Sequence, residues 1–188
     1  MVAIQRLGAR AALALLSALL AGQLAISHAR AGESALHQAV EKGDRTQVER
    51  LLKQGADARA RTETGETVLH YAAFPKDDWF ASRLLAAGAD PRAVNSAGES
   101  PLFWAALEGN VVVARRLLRA GADPNGRDAV GNLPLHAAAH SGNEALVRLL
   151  LPLTKRPRAE NRDGITPRDY ALAAGHREIV ELLDRSGR

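Results

Sequence analysis

Three histidines fall on one fixed spacing. The interval from His37 to His70 recurs, doubled, from His70 to His136, and Phe103 fills the slot between. Recurring imidazoles invite a metal or acid–base reading. The spacing argues against it, because equivalent slots on neighbouring packed helices lie roughly 8–10 Å apart. Metal–nitrogen bonds are about 2 Å, so two such histidines do not share an ion. His140 and His176 lie outside the series and are candidates for exposed contact or capping. The chain has no cysteine, which removes disulfides, thiolate metal sites and cysteine nucleophiles. No nucleophile–base–acid set and no glycine-rich phosphate loop stands at a recognisable spacing. The chain is therefore expected to be neither an enzyme nor a carrier of a metal or cofactor.

The elements behind the histidines repeat as they do. Ser34-Ala-Leu-His-Gln-Ala, Thr67-Val-Leu-His-Tyr-Ala-Ala, Ser100-Pro-Leu-Phe-Trp-Ala-Ala, Leu133-Pro-Leu-His-Ala-Ala-Ala and Thr166-Pro-Arg-Asp-Tyr-Ala keep that same register. Each copy reads as helix, short turn, helix and extended loop. Ser34, Thr67, Ser100 and Thr166 suit the N-cap, and Pro101, Pro134 and Pro167 suit the first helical position, where no N–H is needed. Gly43-Asp44, Gly109-Asn110 and Gly142-Asn143 close one helix and cap the next. The second helix carries the apolar face, as in Val113, Leu117 and Leu118, and ends in Gly-Ala-Asp at Gly55, Gly88 and Gly121. The turn chemistry of residues 58–65, 91–98 and 124–131 predicts β-hairpin-like loops.

Such a period marks a stacked array. The sequence resembles the ankyrin repeat proteins, whose repeat is about 33 residues with a Thr-Pro-Leu-His-x-Ala signature. Thr67–Ala73 and Leu133–Ala139 carry most of that signature, and three Gly-Ala-Asp endings match its close. The resemblance implies an all-α solenoid of about five repeats, near 32–63, 64–96, 97–129, 130–162 and 163–188. It also implies a histidine that hydrogen-bonds within its own repeat, and protein binding. Two copies depart from the pattern. Pro75-Lys76-Asp77 replaces the glycine of the second turn, so that turn closes differently. Pro152-Leu-Thr-Lys-Arg-Pro157 replaces the fourth ending, which predicts a helix that stops near Leu151 and an irregular basic loop. Glu178, Glu181, Asp184 and Arg185 give the last copy a polar face, as a terminal repeat needs.

In such a stack two slots of each first helix face the concave side. The slot after the histidine holds Gln38, Tyr71, Trp104, Ala137 and Tyr170; in the next such slot stand Glu41, Phe74, Leu107, His140 and Ala173. Aromatics are only 4% of the chain, yet Tyr71, Phe74 and Trp104 fall here with Leu107. Large aromatics dominate binding energy at protein interfaces. The predicted protein-binding surface is therefore Tyr71, Phe74, Trp104, Leu107, Glu108 and His140, with Arg61, Arg92 and Arg127 as a basic rim. The competing reading is ordinary packing of the rings and a solvated rim. Phe80 is expected in the core.

The N-terminus has its own logic. Arg6 and Arg10 precede an apolar run from Ala11, and Ala29-Arg30-Ala31 ends the segment with small residues. That order predicts a signal peptide over residues 1–31, cleaved between Ala31 and Gly32, and a periplasmic or secreted protein without stable membrane insertion. The leader holds three of the four net positive charges, leaving +1 for the rest, too little for a nucleic-acid face. A monomer whose partner is another protein is expected. The resemblance to small exported bacterial repeat proteins implies support of a periplasmic partner such as a stress-protection enzyme, with an immunity-type partner binder or a secreted effector as the alternative. An enzyme or small-molecule binder using the concave groove is the remaining rival.

Overall fold

A computed structural model describes residues 34–186. Ten α-helices follow one another there: α1 (Ala35–Glu41), α2 (Arg45–Lys53), α3 (Val68–Tyr71), α4 (Trp79–Ala86), α5 (Pro101–Leu107), α6 (Val111–Arg119), α7 (Pro134–Ser141), α8 (Glu144–Leu150), α9 (Pro167–Ala173) and α10 (Arg177–Arg185). The odd-numbered helices pack side by side in one layer. The even-numbered helices from α4 onward line up in a second layer, and each is paired with the helix before it. Among the described residues the only bridge between extended segments is Arg61 with Thr67. The predicted leader lies outside the described residues.

The start of each first helix follows from its sequence. Ser100 Oγ accepts from the Phe103 N–H. Thr166 and Asp169 exchange bonds, each side chain taking the other's backbone N–H. Leu133 has no side-chain acceptor, yet it holds the N-cap of α7, since Pro134 behind it still sets the first helical φ. Second helices start on Asp44, Asn110 and Asn143, whose side chains accept from the N–H groups of Gln47, Val113 and Leu146. Those bonds fill backbone donors that a helix start leaves open.

The core runs between the layers as one continuous cluster. Leu69, Leu102 and Leu135 from first helices, and Val113, Leu117, Leu146 and Leu150 from second helices, are all fully buried. Phe80 joins them at 2% exposure. The paired alanines Ala72-Ala73, Ala105-Ala106 and Ala138-Ala139 are buried too, because small side chains let neighbouring first helices approach. Leu172 occupies the slot of Ala73, Ala106 and Ala139, and it is 55% exposed because no described helix covers it.

Both departures take shape as their prolines demand. α3 is a single turn, and irregular turns carry the chain from Ala72 to Asp78. The Asn110 side-chain amide spans this gap by donating to the carbonyls of Ala73 and Pro75. Ion pairs from Arg45 to Asp77 and from Arg116 to Asp78 anchor it on both sides. In the fourth repeat α8 ends at Leu150 and a single 3-10 turn covers Leu151–Leu153. Thr154 Oγ then donates to the Leu150 carbonyl and closes the break.

Candidate functional site

The three periodic histidines are structural, as their spacing predicts, but they do more than bond within a repeat. Backbone N–H groups of Ser34, Thr67 and Leu133 donate to Nδ1 of His37, His70 and His136 at 3.3, 3.0 and 3.0 Å. That bond leaves the proton on Nε2. Nε2 donates across the repeat boundary to the carbonyls of Glu66, Glu99 and Ile165. The expected bond within the repeat is present, and a second bond extends it: each imidazole clamps one first helix to the loop that leads into the next. Burial pushes His70 and His136 down to about 4, so both are neutral near pH 7. Phe103, buried in the same slot, has no such bond to give.

His136 and His140 stand one turn apart on α7, a spacing that can hold zinc on one helix face. The expectation that no His-x-x-x-His zinc pair stands in the sequence is therefore corrected as to spacing. The structure separates their roles, since both nitrogens of His136 are already bonded. No group of three or more potential ligands gathers among the described residues.

The aromatic residues do come together. The Trp104 ring lies 6.1 Å from Tyr71 and 5.7 Å from Phe74, and Tyr71 meets Phe74 edge-on at 6.3 Å. His37 and His70 present edges to Tyr71 and Trp104 at 5.2 and 5.3 Å. The clamps therefore also brace the rings, since edge-to-face pairs at such distances are attractive. The Trp104 indole N–H donates to the Glu99 carboxylate at 2.8 Å, and the Asn95 amide donates to the same oxygen. Trp104 is thus held in one orientation.

Exposure sorts the predicted surface. Tyr71 is only 2% exposed, so it supports the patch from below and does not form its contact surface as expected. Phe74, in the turn after α3, and Trp104 on α5 lie against it with their rings. Phe74, Trp104, Leu107 and His140 are half-buried, and Glu108 is exposed. Loss of surrounding water raises the Glu108 carboxyl above its ordinary value, against the opposing pull of Lys76. His140 is lowered by burial and then by His176. Its Nδ1 is buried without a hydrogen-bond partner among the described residues. The face thus combines flat apolar rings with a carboxylate and a half-buried imidazole.

The arginines have a structural duty that their sequence does not announce. Arg61 donates to the carbonyls of Gly65 and Val94, and Arg127 to those of Gly131 and Glu160. Arg92 donates to the carbonyl of Gly121 at 2.7 Å, and Arg59 does the same to Gly88 at 2.8 Å. Each of these arginines reaches from one repeat into the next. All three rim arginines remain exposed, so they are fixed charges and not loose ones. The loop tips are tied in parallel by Ser96 N–H to Thr64, Ala129 N–H to Ala97 and Arg162 N–H to Val130.

The same two-helix unit with a loop, stacked in register and clamped at each boundary, has a counterpart among known families. The family described as Ankyrin repeats (3 copies) matches residues 1–95, 36–128, 74–157 and 102–187. The chain belongs to the ankyrin repeat family. Ankyrin repeats are protein–protein interaction modules, and no described helix is long and apolar enough to cross a membrane. A search of curated proteins for relatives of this ankyrin chain returned no match.

Proposed function

We propose that this ankyrin protein captures another exported protein on its first-helix face, with Phe74, Trp104 and Leu107 as apolar contacts. Tyr71 supports them from beneath, Glu108 and His140 supply polar contacts beside them, and Arg61, Arg92 and Arg127 form the charged rim. The observation that carries the reading is the ring cluster of Phe74 and Trp104, held half-open by a buried tyrosine and by the indole bond to Glu99. Rings already fixed in place lose little rotamer freedom on binding, which favours affinity. The Phe74→Ala/Trp104→Ala variant is expected to retain the native helix content by circular dichroism. It is also expected to lose the protein that the native chain captures from an exported-protein extract of its source cells. Equal capture by both forms would remove this face from the reading.

The location rests on the leader. The order of basic, apolar and small residues in Met1–Ala31 supports export, and a periplasmic or secreted protein that begins at Gly32 follows. Mass spectrometry of the exported form is expected to give the Gly32 start; a mass that includes Met1 would contradict cleavage.

A further inference from the structure

The second-helix face holds a feature that capture by the first helices leaves unused. Between α6 and α8 lies an open groove of about 460 Å³, lined by Arg115, Ala145, Arg148, Leu149, Pro152 and Leu153. Its end is formed by the proline break, where α8 gives way to the turn at Leu151–Leu153. Leu153 is 43% exposed at its rim, and Val112, which shares the slot of Ala145 one repeat earlier, is 49% exposed. An apolar floor of this kind favours an apolar side chain that leaves water to fill it.

The surrounding charge has one sign. Arg115 is exposed, and Arg119 follows one turn later on the same face of α6, where residues four apart are neighbours. Lys155 and Arg156 follow the turn and are exposed as well. The Lys155 N–H donates to the Asn125 side chain, which holds this basic loop against the loop that follows α6. Arg148 pairs with Glu144, whereas Arg115, Arg119, Lys155 and Arg156 have no carboxylate partner among the described residues. Glu178 and Glu181 of α10 occupy the slots beyond Ala145 and Arg148 and limit the basic patch on that side. Glu181 is itself paired with Arg185.

We propose that this groove is a second docking site whose occupant is an acidic peptide segment of another protein. The segment seats one large apolar side chain between α6 and α8 and sets carboxylates against Arg115 and Arg119. Guanidinium groups suit that role because they bind carboxylates through two parallel N–H bonds. Nucleic acid would need a longer basic track than four cations beside an acidic helix.

The test titrates the full chain into a fluorescein-labelled amphipathic peptide of leucine and glutamate. The same peptide with lysine for glutamate, and vesicles containing phosphatidylserine, serve as the other arms. The glutamate peptide is expected to bind saturably. Arg115→Glu/Arg119→Glu is expected to weaken it by about tenfold or more, and Leu153→Ser to weaken it severalfold. Phe74→Ala/Trp104→Ala is expected to leave it unchanged, which separates this site from the first-helix face. Circular dichroism checks that each variant folds, with Arg115→Gln as a milder replacement. No binding of the glutamate peptide, equal binding of the lysine peptide, preference for vesicles, or loss in the Phe74/Trp104 variant would each overturn the proposal.

Discussion

At the scale of single residues the periodic histidines carry most of the physical content. His70 and His136 are buried, neutral and bonded at both nitrogens, so each joins two repeats only while Nδ1 is bare. In the unfolded chain they bind protons near 6.5, but in the folded chain only near 4. Between those values the unfolded state holds more protons, so stability is complete above about pH 6.5 and declines as pH falls towards 4. Each group contributes up to roughly 3 kcal/mol across that window. Urea unfolding from about pH 7.5 down to about pH 4.5 is expected to show this decline, and a His70→Gln/His136→Gln chain to show a flatter profile. Identical slopes in the two chains would contradict the assignment. The clamping partner is a backbone carbonyl in the following repeat, and no side-chain identity encodes it. For that reason the sequence discloses the histidine slot but not the bond across the boundary. The arginine bonds to the carbonyls of Gly88, Val94, Gly121 and Glu160 stay hidden in the same way.

At the scale of elements, turns decide where helices stop, and their chemistry is plain in the residues. Pro152 ends α8 within a residue of the predicted Leu151, and Pro75 shortens the first helix of its repeat. What a turn packs against is less visible. Gly142 closes α7 in the left-handed region at φ 74°, and the His176 ring of the next repeat lies over it. A Cβ there would come within 2.5 Å of that ring. Gly142→Ala is therefore expected to destabilise the chain by about 1–3 kcal/mol, from strained backbone as well as collision. In a His176→Ala background the collision is gone and only the backbone part remains. A double-mutant cycle by urea denaturation measures the difference; a coupling of zero would show that the ring yields freely. The sequence predicts the glycine at this helix end but not the ring above it, because contact between Gly142 and His176 depends on how one repeat seats on another.

At the scale of the whole molecule, each repeat buries its apolar face only against its neighbours, so the array holds together through its boundaries. The repeat register is enough to read the all-helical stack, the helix starts and the buried leucines. It is also enough to gather Tyr71, Phe74 and Trp104 on adjacent repeats. It does not resolve which ring lies outermost, since that depends on side-chain packing across two boundaries, and Tyr71 ends beneath its neighbours. The stack thus has two separate faces, one presenting braced aromatic rings and the other an arginine-walled groove. The central claim is that the ring-bearing face contacts a protein partner. Site-specific photocrosslinking tests it directly, with p-benzoylphenylalanine placed at position 107 on the first-helix face or at position 178 on α10 as the control. In exported-protein extract, position 107 is expected to give one discrete adduct that disappears in the Phe74→Ala background, and position 178 none. An adduct from position 178 alone, or one from position 107 that persists without Phe74, would contradict the account.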